Sequence, residues 1–192
     1  MKHPSTRELY EYWDKQRAGA PAPERSAMEP GPIRHLLGDS FVICCDQGSR
    51  FPLRVAGTRI CAMLGRDVKG QDFLELWAPA SRRQVEDFLS IATEESLATV
   101  AGVTAFTDKL SPVYLELLLL PFAPSVLAPQ SVTGSLLPLT VPSELEHSSL
   151  HDLSLTTWRH AGHQPRTLRQ RAVRRLALAK GFMIYEGLRG DR

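Results

Sequence analysis

The groups in this 192-residue chain that could do chemistry are few: six histidines, three cysteines and a set of arginines gathered late in the sequence. His147 and His151 stand four apart, the spacing that turns two imidazoles to one helix face for zinc, with Glu144, Glu146 and Asp152 nearby. A zinc hydrolase of that kind carries glutamate directly after its first histidine, and here that residue is Ser148. Surface histidines and no metal are expected. Ser149, His151 and Asp152 supply the residue types of a nucleophilic triad, but they are neighbours in sequence, and the GxSxG turn that strains a nucleophilic serine is absent. Gly57, Gly65 and Gly70 are too widely spaced for a phosphate loop or a dinucleotide turn. No catalytic constellation emerges, so an enzyme is not expected.

Cys44 and Cys45 are adjacent and Cys61 is alone, which gives neither a CxxC pair nor a disulfide framework and fits a reducing cytoplasm. Cys61 reads as a buried structural thiol. Net charge is +2, but it is unevenly spread. Residues 159–192 carry 9 Lys/Arg against 2 Asp/Glu (+7), and residues 1–158 carry 14 against 19 (−5). Within the basic segment Arg166, Arg169, Arg171, Arg174 and Arg175 form a cluster of the kind that grips phosphates bidentately. An anionic partner for this tail is the expectation, and a cyclic-dinucleotide or other anionic-nucleotide effector is the alternative function. The Asp-x-Ser-x-x-Gly element that accompanies such arginines in cyclic-dinucleotide receptors is incomplete at Asp152-Leu153-Ser154. No helix-turn-helix or finger pattern flanks them, so specific DNA binding is not expected.

The elements that must position these groups begin at Ser5-Thr6-Arg7-Glu8, a capping-box pattern. The helix it opens carries Leu9, Tyr10 and Trp13 along one face, which must pack on the domain or on a second copy. A proline-rich loop follows to Pro32. Ser40–Asp46 reads as a buried strand, tightly joined to a second strand from Phe51. Arg54 alternates away from Leu53 and Val55 on that strand, toward solvent. Short glycine-stopped helices occupy the stretch to Trp77, making a concave wall. Ser81 with Gln84 marks a longer helix bearing Val85, Phe88, Leu89 and Ala92 on one face. Three strand-like runs come next, at 99–107, 113–122 and 134–141. Residues 142–165 have the composition of a linker, and Pro165 to Ala179 can form a basic helix. No apolar run reaches the roughly 18 residues of a membrane span.

Two strands, short helices, one longer helix and three strands make an α+β layer architecture, an antiparallel five-stranded sheet with helices on one side. The hydrophobic share of 43% and charged share of 23% are ordinary for one soluble domain. Three regions follow: residues 1–30 as helix and linker, 31–142 as the domain, and 143–192 as polar linker and basic tail.

The same order, together with specific residue combinations, resembles a family of small single-domain PAS proteins found widely in alphaproteobacteria, once catalogued only as a domain of unknown function. The matching residues include Leu9-Tyr10-Glu11-Tyr12-Trp13, Leu37-Gly38-Asp39-Ser40-Phe41, Phe51-Pro52-Leu53-Arg54-Val55-Ala56-Gly57, Gly65-Arg66-Asp67-Val68-Lys69-Gly70 and Asp72-Phe73-Leu74-Glu75-Leu76-Trp77. The turn Asp108-Lys109-Leu110-Ser111-Pro112 departs from the family's usual Gly-Arg-type turn. The resemblance implies a PAS fold with an N-terminal helix and a cytoplasmic sensory or regulatory module acting through protein–protein contact, gated where a small ligand enters the concavity. It implies a pocket lined by Phe41, Ile43, Val55, Ile60, Met63, Leu64, Phe73, Trp77 and Phe88. It also implies a homodimer formed through Leu9, Tyr10 and Trp13, and a signalling protein as output partner. Haem-binding PAS domains project a histidine from the long helix, and none lies between Ser81 and Leu97. Flavin-adduct PAS domains carry an Asn-Cys-Arg-type motif, which Cys61 lacks. No cofactor is expected beyond an unidentified small ligand.

Overall fold

The computed structural model describes residues 1–45, 50–125, 129–140 and 148–161. Helix α1 spans Pro4–Arg17. Pro4 takes a first-turn position where its missing N–H costs nothing, and this shifts the start from the capping box at Ser5 to His3, whose Nδ1 accepts from the Ser5 amide at 3.1 Å. Glu8 is paired with His35 instead of closing a box. The helix stops where Ala18 turns left-handed at φ 48°.

Strands β1 (Ser40–Cys44) and β2 (Leu53–Ala56) lead into the short helix α2 (Thr58–Met63), a 3₁₀ turn at Phe73–Leu76 and helix α3 (Pro79–Glu94). Proline again moves a boundary: α3 begins at Pro79, before the expected cap at Ser81. Strands β3 (Thr99–Thr107) and β4 (Pro112–Pro121) follow close to their expected ranges, and β5 (Ser131–Pro138) lies three residues earlier than the expected 134–141. A further strand, β6 (Leu150–His160), occupies sequence that reads as linker. The sheet is antiparallel with order β2-β1-β5-β4-β3-β6, so it has six strands among the described residues and not the expected five.

Period-two alternation divides the sheet into two apolar faces. Phe41, Leu53, Val103, Leu115, Leu117 and Leu136 face α2, the 3₁₀ turn and α3, where they join Val85, Phe88 and Leu89 in the main core. Val100, Leu118 and Leu120 point the other way, against Leu9 and Trp13 of α1. With apolar side chains on both faces, β4 lies at the centre of the molecule. Each outer strand is tied to a neighbouring segment by a pair of hydrogen bonds, which blunts edge-to-edge pairing there. On β2, Leu53 donates to Gln71 O (2.9 Å) and accepts from Gly70 N (2.7 Å). On β6, Leu153 O accepts from Ala78 N (2.9 Å), and the Leu155 amide donates to the Ser81 hydroxyl (3.0 Å). No described helix is long and apolar enough to cross a membrane.

Candidate functional site: the concave core and its clasp

The concave face brings together eight of the nine residues expected to line a pocket. Phe41, Ile43, Ile60, Met63, Leu64, Phe73, Trp77 and Phe88 are all buried in one continuous cluster. Val55 is not among them. It sits opposite Val42 on the short edge strand β2, and it is 47% exposed. Strand alternation sends Leu53 inward, so its neighbour two residues on should follow; the register shift between Val42 and Ile43 breaks that rule.

Aromatic contacts hold the wall. Phe73 lies between Phe41 (centroids 5.4 Å) and Trp77 (5.8 Å, edge-on). Asp72 starts the 3₁₀ turn by accepting from the Leu74 amide at 3.0 Å. Gly57 precedes α2 because a side chain there would collide with the carbonyl oxygens of Leu37 and Gly38, so only glycine lets the two segments touch. Arg59 is committed to Asp39 through two hydrogen bonds of 2.7 and 2.6 Å. Among the described residues, buried polar atoms without a partner include Ser135 Oγ and His160 Nε2 elsewhere and, in this core, the indole N–H of Trp77, a residue only 2% exposed. By contrast, Trp13 donates its indole N–H to Pro121 O at 2.9 Å.

The histidine and serine candidates resolve differently. His151 lies on strand β6, not on a helix, and its Nε2 meets Asp108 Oδ1 at 2.6 Å. Asp108 also accepts from the Ser148 hydroxyl (3.0 Å) and the Ser149 amide (3.1 Å). The Ser149 amide, followed by His151 and Ser148, holds the Asp108 carboxyl below the usual range. The carboxylate beside His151 is thus supplied by the β3–β4 turn and not by Asp152, and both serine groups bond to it and not to the imidazole. This is a structural clasp. No group of three His, Cys, Asp or Glu residues placed to hold a metal occurs among the described residues. His147, Glu144, Glu146 and the arginines 166, 169, 171, 174 and 175 lie outside them.

The thiols differ from one another. Burial, then the neighbouring Cys44, pushes Cys45 up to about 12, so it stays a thiol at neutral pH. Cys61, expected to be buried, is half-buried on α2 with its Sγ 3.9 Å from Asp67.

On the opposite face, Leu9 and Trp13 are buried by the chain's own β3 and β4. The apolar stripe on α1 therefore finds its packing surface within the chain, and a dimer contact through these two side chains would have to replace that packing. Tyr10 is half-buried at the rim, 6.2 Å from Trp13. Sequence reasoning missed the group that anchors this helix. Glu116, buried on β4, accepts from the amides of Lys2 (2.6 Å) and His3 (2.9 Å). Burial alone would raise its pKa; the Lys2 and His3 hydrogen bonds lead the groups that overcome it and hold the carboxyl below its usual value. A lone glutamate within the run Val113–Pro121 is the only sequence signal of this role.

The sheet of order β2-β1-β5-β4-β3 and the short helices over one face lie almost wholly within a region that the sequence comparison matches. The family model described as PAS domain matches residues 1–137. The chain belongs to the PAS domain family. Its members are sensory or regulatory modules, and this one extends past the matched region into β6. Among solved structures, the chain is similar to the LOV protein of Rhodobacter sphaeroides, with 15% identity, a TM-score of 0.44, and coverage of 62% of this chain and 73% of that one. It is also similar to the PAS domain of an HTR-like protein from Haloarcula marismortui, with 17% identity, a TM-score of 0.42, and coverage of 56% and 89%. No curated protein matches.

Proposed function

We propose that this PAS domain is a cytoplasmic regulatory module that acts through contact with a signalling protein and is gated by a small molecule in its concave core. The observation that carries the gate is the Trp77 indole N–H. A buried donor without an acceptor costs roughly 1–3 kcal/mol, and an acceptor brought to the Trp77 indole would recover that cost. The Trp77 ring also spans the parts that would have to move: it touches Phe73 on the wall, and its backbone bridges Leu153 of β6. A molecule with a carbonyl or carboxylate oxygen at the indole would favour one packing of wall and sheet over another. A regulatory partner could read that shift in population.

The Trp77 indole signal in the ¹⁵N spectrum of the full chain, assigned by Trp77→Phe, tests the gate. Adding the small-molecule fraction of a cell extract should move that signal and leave the Trp13 indole, already bonded, in place. An unchanged Trp77 signal would overturn the gate.

A second reading rests on charge alone. The +7 balance of residues 159–192 suits an anionic nucleotide at the arginine cluster. Removing the residues after Pro165 should abolish nucleotide binding under that reading and leave the core gate intact under the first.

A further inference from the structure

Four features bear on how strand β6 is held. It lies beyond the residues that match the family, which end at 137. Its ladder with β3 slips twice, between Gly102 and Val103 and between Thr104 and Phe106, and Asp152 takes a left-handed φ of 53°. Only Leu150 and Leu153 of its eleven residues are buried, whereas β5 is buried at all but its last position. Its first turn of chain is held from outside, by the exposed Asp108 clasp and by Ser149, which packs onto Gly65 at the end of α2. An irregular ladder and exposed fastenings at its first residues are the properties of a segment that opens locally while the remainder stays folded.

We propose that the edge of β3 is a strand-docking site for an extended segment of a partner protein, and that β6 is the internal segment that occupies it until released. The proposal deepens the protein-contact reading above and rests on it. What the edge accepts can be read from β6 itself. Main-chain groups pair along β3 from Thr99 to Thr107, and large apolar side chains fall at Leu150, Leu153 and Leu155 against the core. The intervals of three and then two follow from the bulge at Asp152. A partner segment would be extended, with large apolar residues in that spacing and polar ones between. Backbone pairing would supply affinity and the three core slots would supply selectivity. With β6 displaced, Ala78 N and the Ser81 hydroxyl, now bonded to Leu153 and Leu155, would be free to meet the incoming strand.

A fluorescent synthetic peptide of residues 148–161, added to the intact chain, is the probe. Capture should rise at least about threefold in Asp108→Asn, because apparent affinity scales with the fraction of chains in the open state. Thr104 and Ser154 are paired across the ladder, so Thr104→Cys with Ser154→Cys in a Cys45→Ser, Cys61→Ser background gives a form that can be locked and unlocked by oxidation and reduction. Locking should abolish capture and reduction should restore it, and a peptide with Leu150→Asp and Leu153→Asp should not be captured by any form. Equal capture by locked and reduced chains would overturn the proposal, as would absence of capture by both the parent and Asp108→Asn with their melting curves intact. The gate is read separately at the Trp77 indole, so a moving indole signal with no peptide capture removes the docking site alone.

Discussion

At the scale of single residues, the groups that matter most are polar atoms in apolar surroundings. Glu116 makes charge-assisted hydrogen bonds to two backbone amides at the foot of α1. Glu116→Gln should lower stability at pH 7 by about 1–3 kcal/mol, measured by denaturant unfolding. Because the folded pKa is depressed, the wild-type advantage should be complete above the unfolded carboxyl value of about 4.3. It should disappear as pH falls through the lower folded value. A wild-type advantage that persists unchanged down to pH 2 would contradict this assignment. Val55 makes the opposite case: exposed on an edge strand, its replacement by Thr should shift stability by less than about 0.5 kcal/mol in the same measurement.

At the scale of elements, α1 is a built-in cover for the outer face of the sheet. Trp13→Ala removes a buried indole, its hydrogen bond to Pro121 O, and the lid over Leu118 and Leu120. It should cost about 3–5 kcal/mol and lower the melting temperature, with amide exchange accelerated over Pro4–Arg17 before the core strands. Ser81→Ala should free the Leu155 amide and speed exchange at residues 153–155 while α3 keeps its helicity. Slowed or unaltered exchange there would refute the tie between α3 and β6.

The elements also show what the sequence makes legible. Helix α3 announces itself by its i, i+3, i+4, i+7 apolar repeat, and strands β1, β3, β4 and β5 by strand-length runs bounded by turns. Strand β6 does not. Its inward residues, Leu150, Leu153, Leu155 and Trp158, are spaced three, two and three because a bulge falls in each wider gap, so no window shows alternation. The two capping boxes mislead for a different reason: Pro4 and Pro79 each take a first-turn position upstream of the expected cap, leaving Ser81 free to serve β6. Of the candidate site, the aromatic wall is legible from composition and spacing. The Asp108 clasp is not, because its members lie some forty residues apart and meet only after β6 pairs with β3.

At the scale of the whole molecule, two apolar layers share one sheet. One layer, under α1, is closed by the chain itself with every indole donor satisfied. The other, under α2 and α3, is closed around the Trp77 indole, whose N–H has no partner among the described residues and whose backbone bridges Leu153 of β6. The concave core is the side on which the proposed gate acts. Native mass spectrometry of the purified full-length chain, compared with its denatured mass, tests this most directly. The account predicts a discrete small-molecule adduct at one per chain after exposure to the small-molecule fraction of a cell extract, retained by wild type and lost in Trp77→Phe. A bare chain mass in both proteins, or an adduct held equally by both, would contradict it.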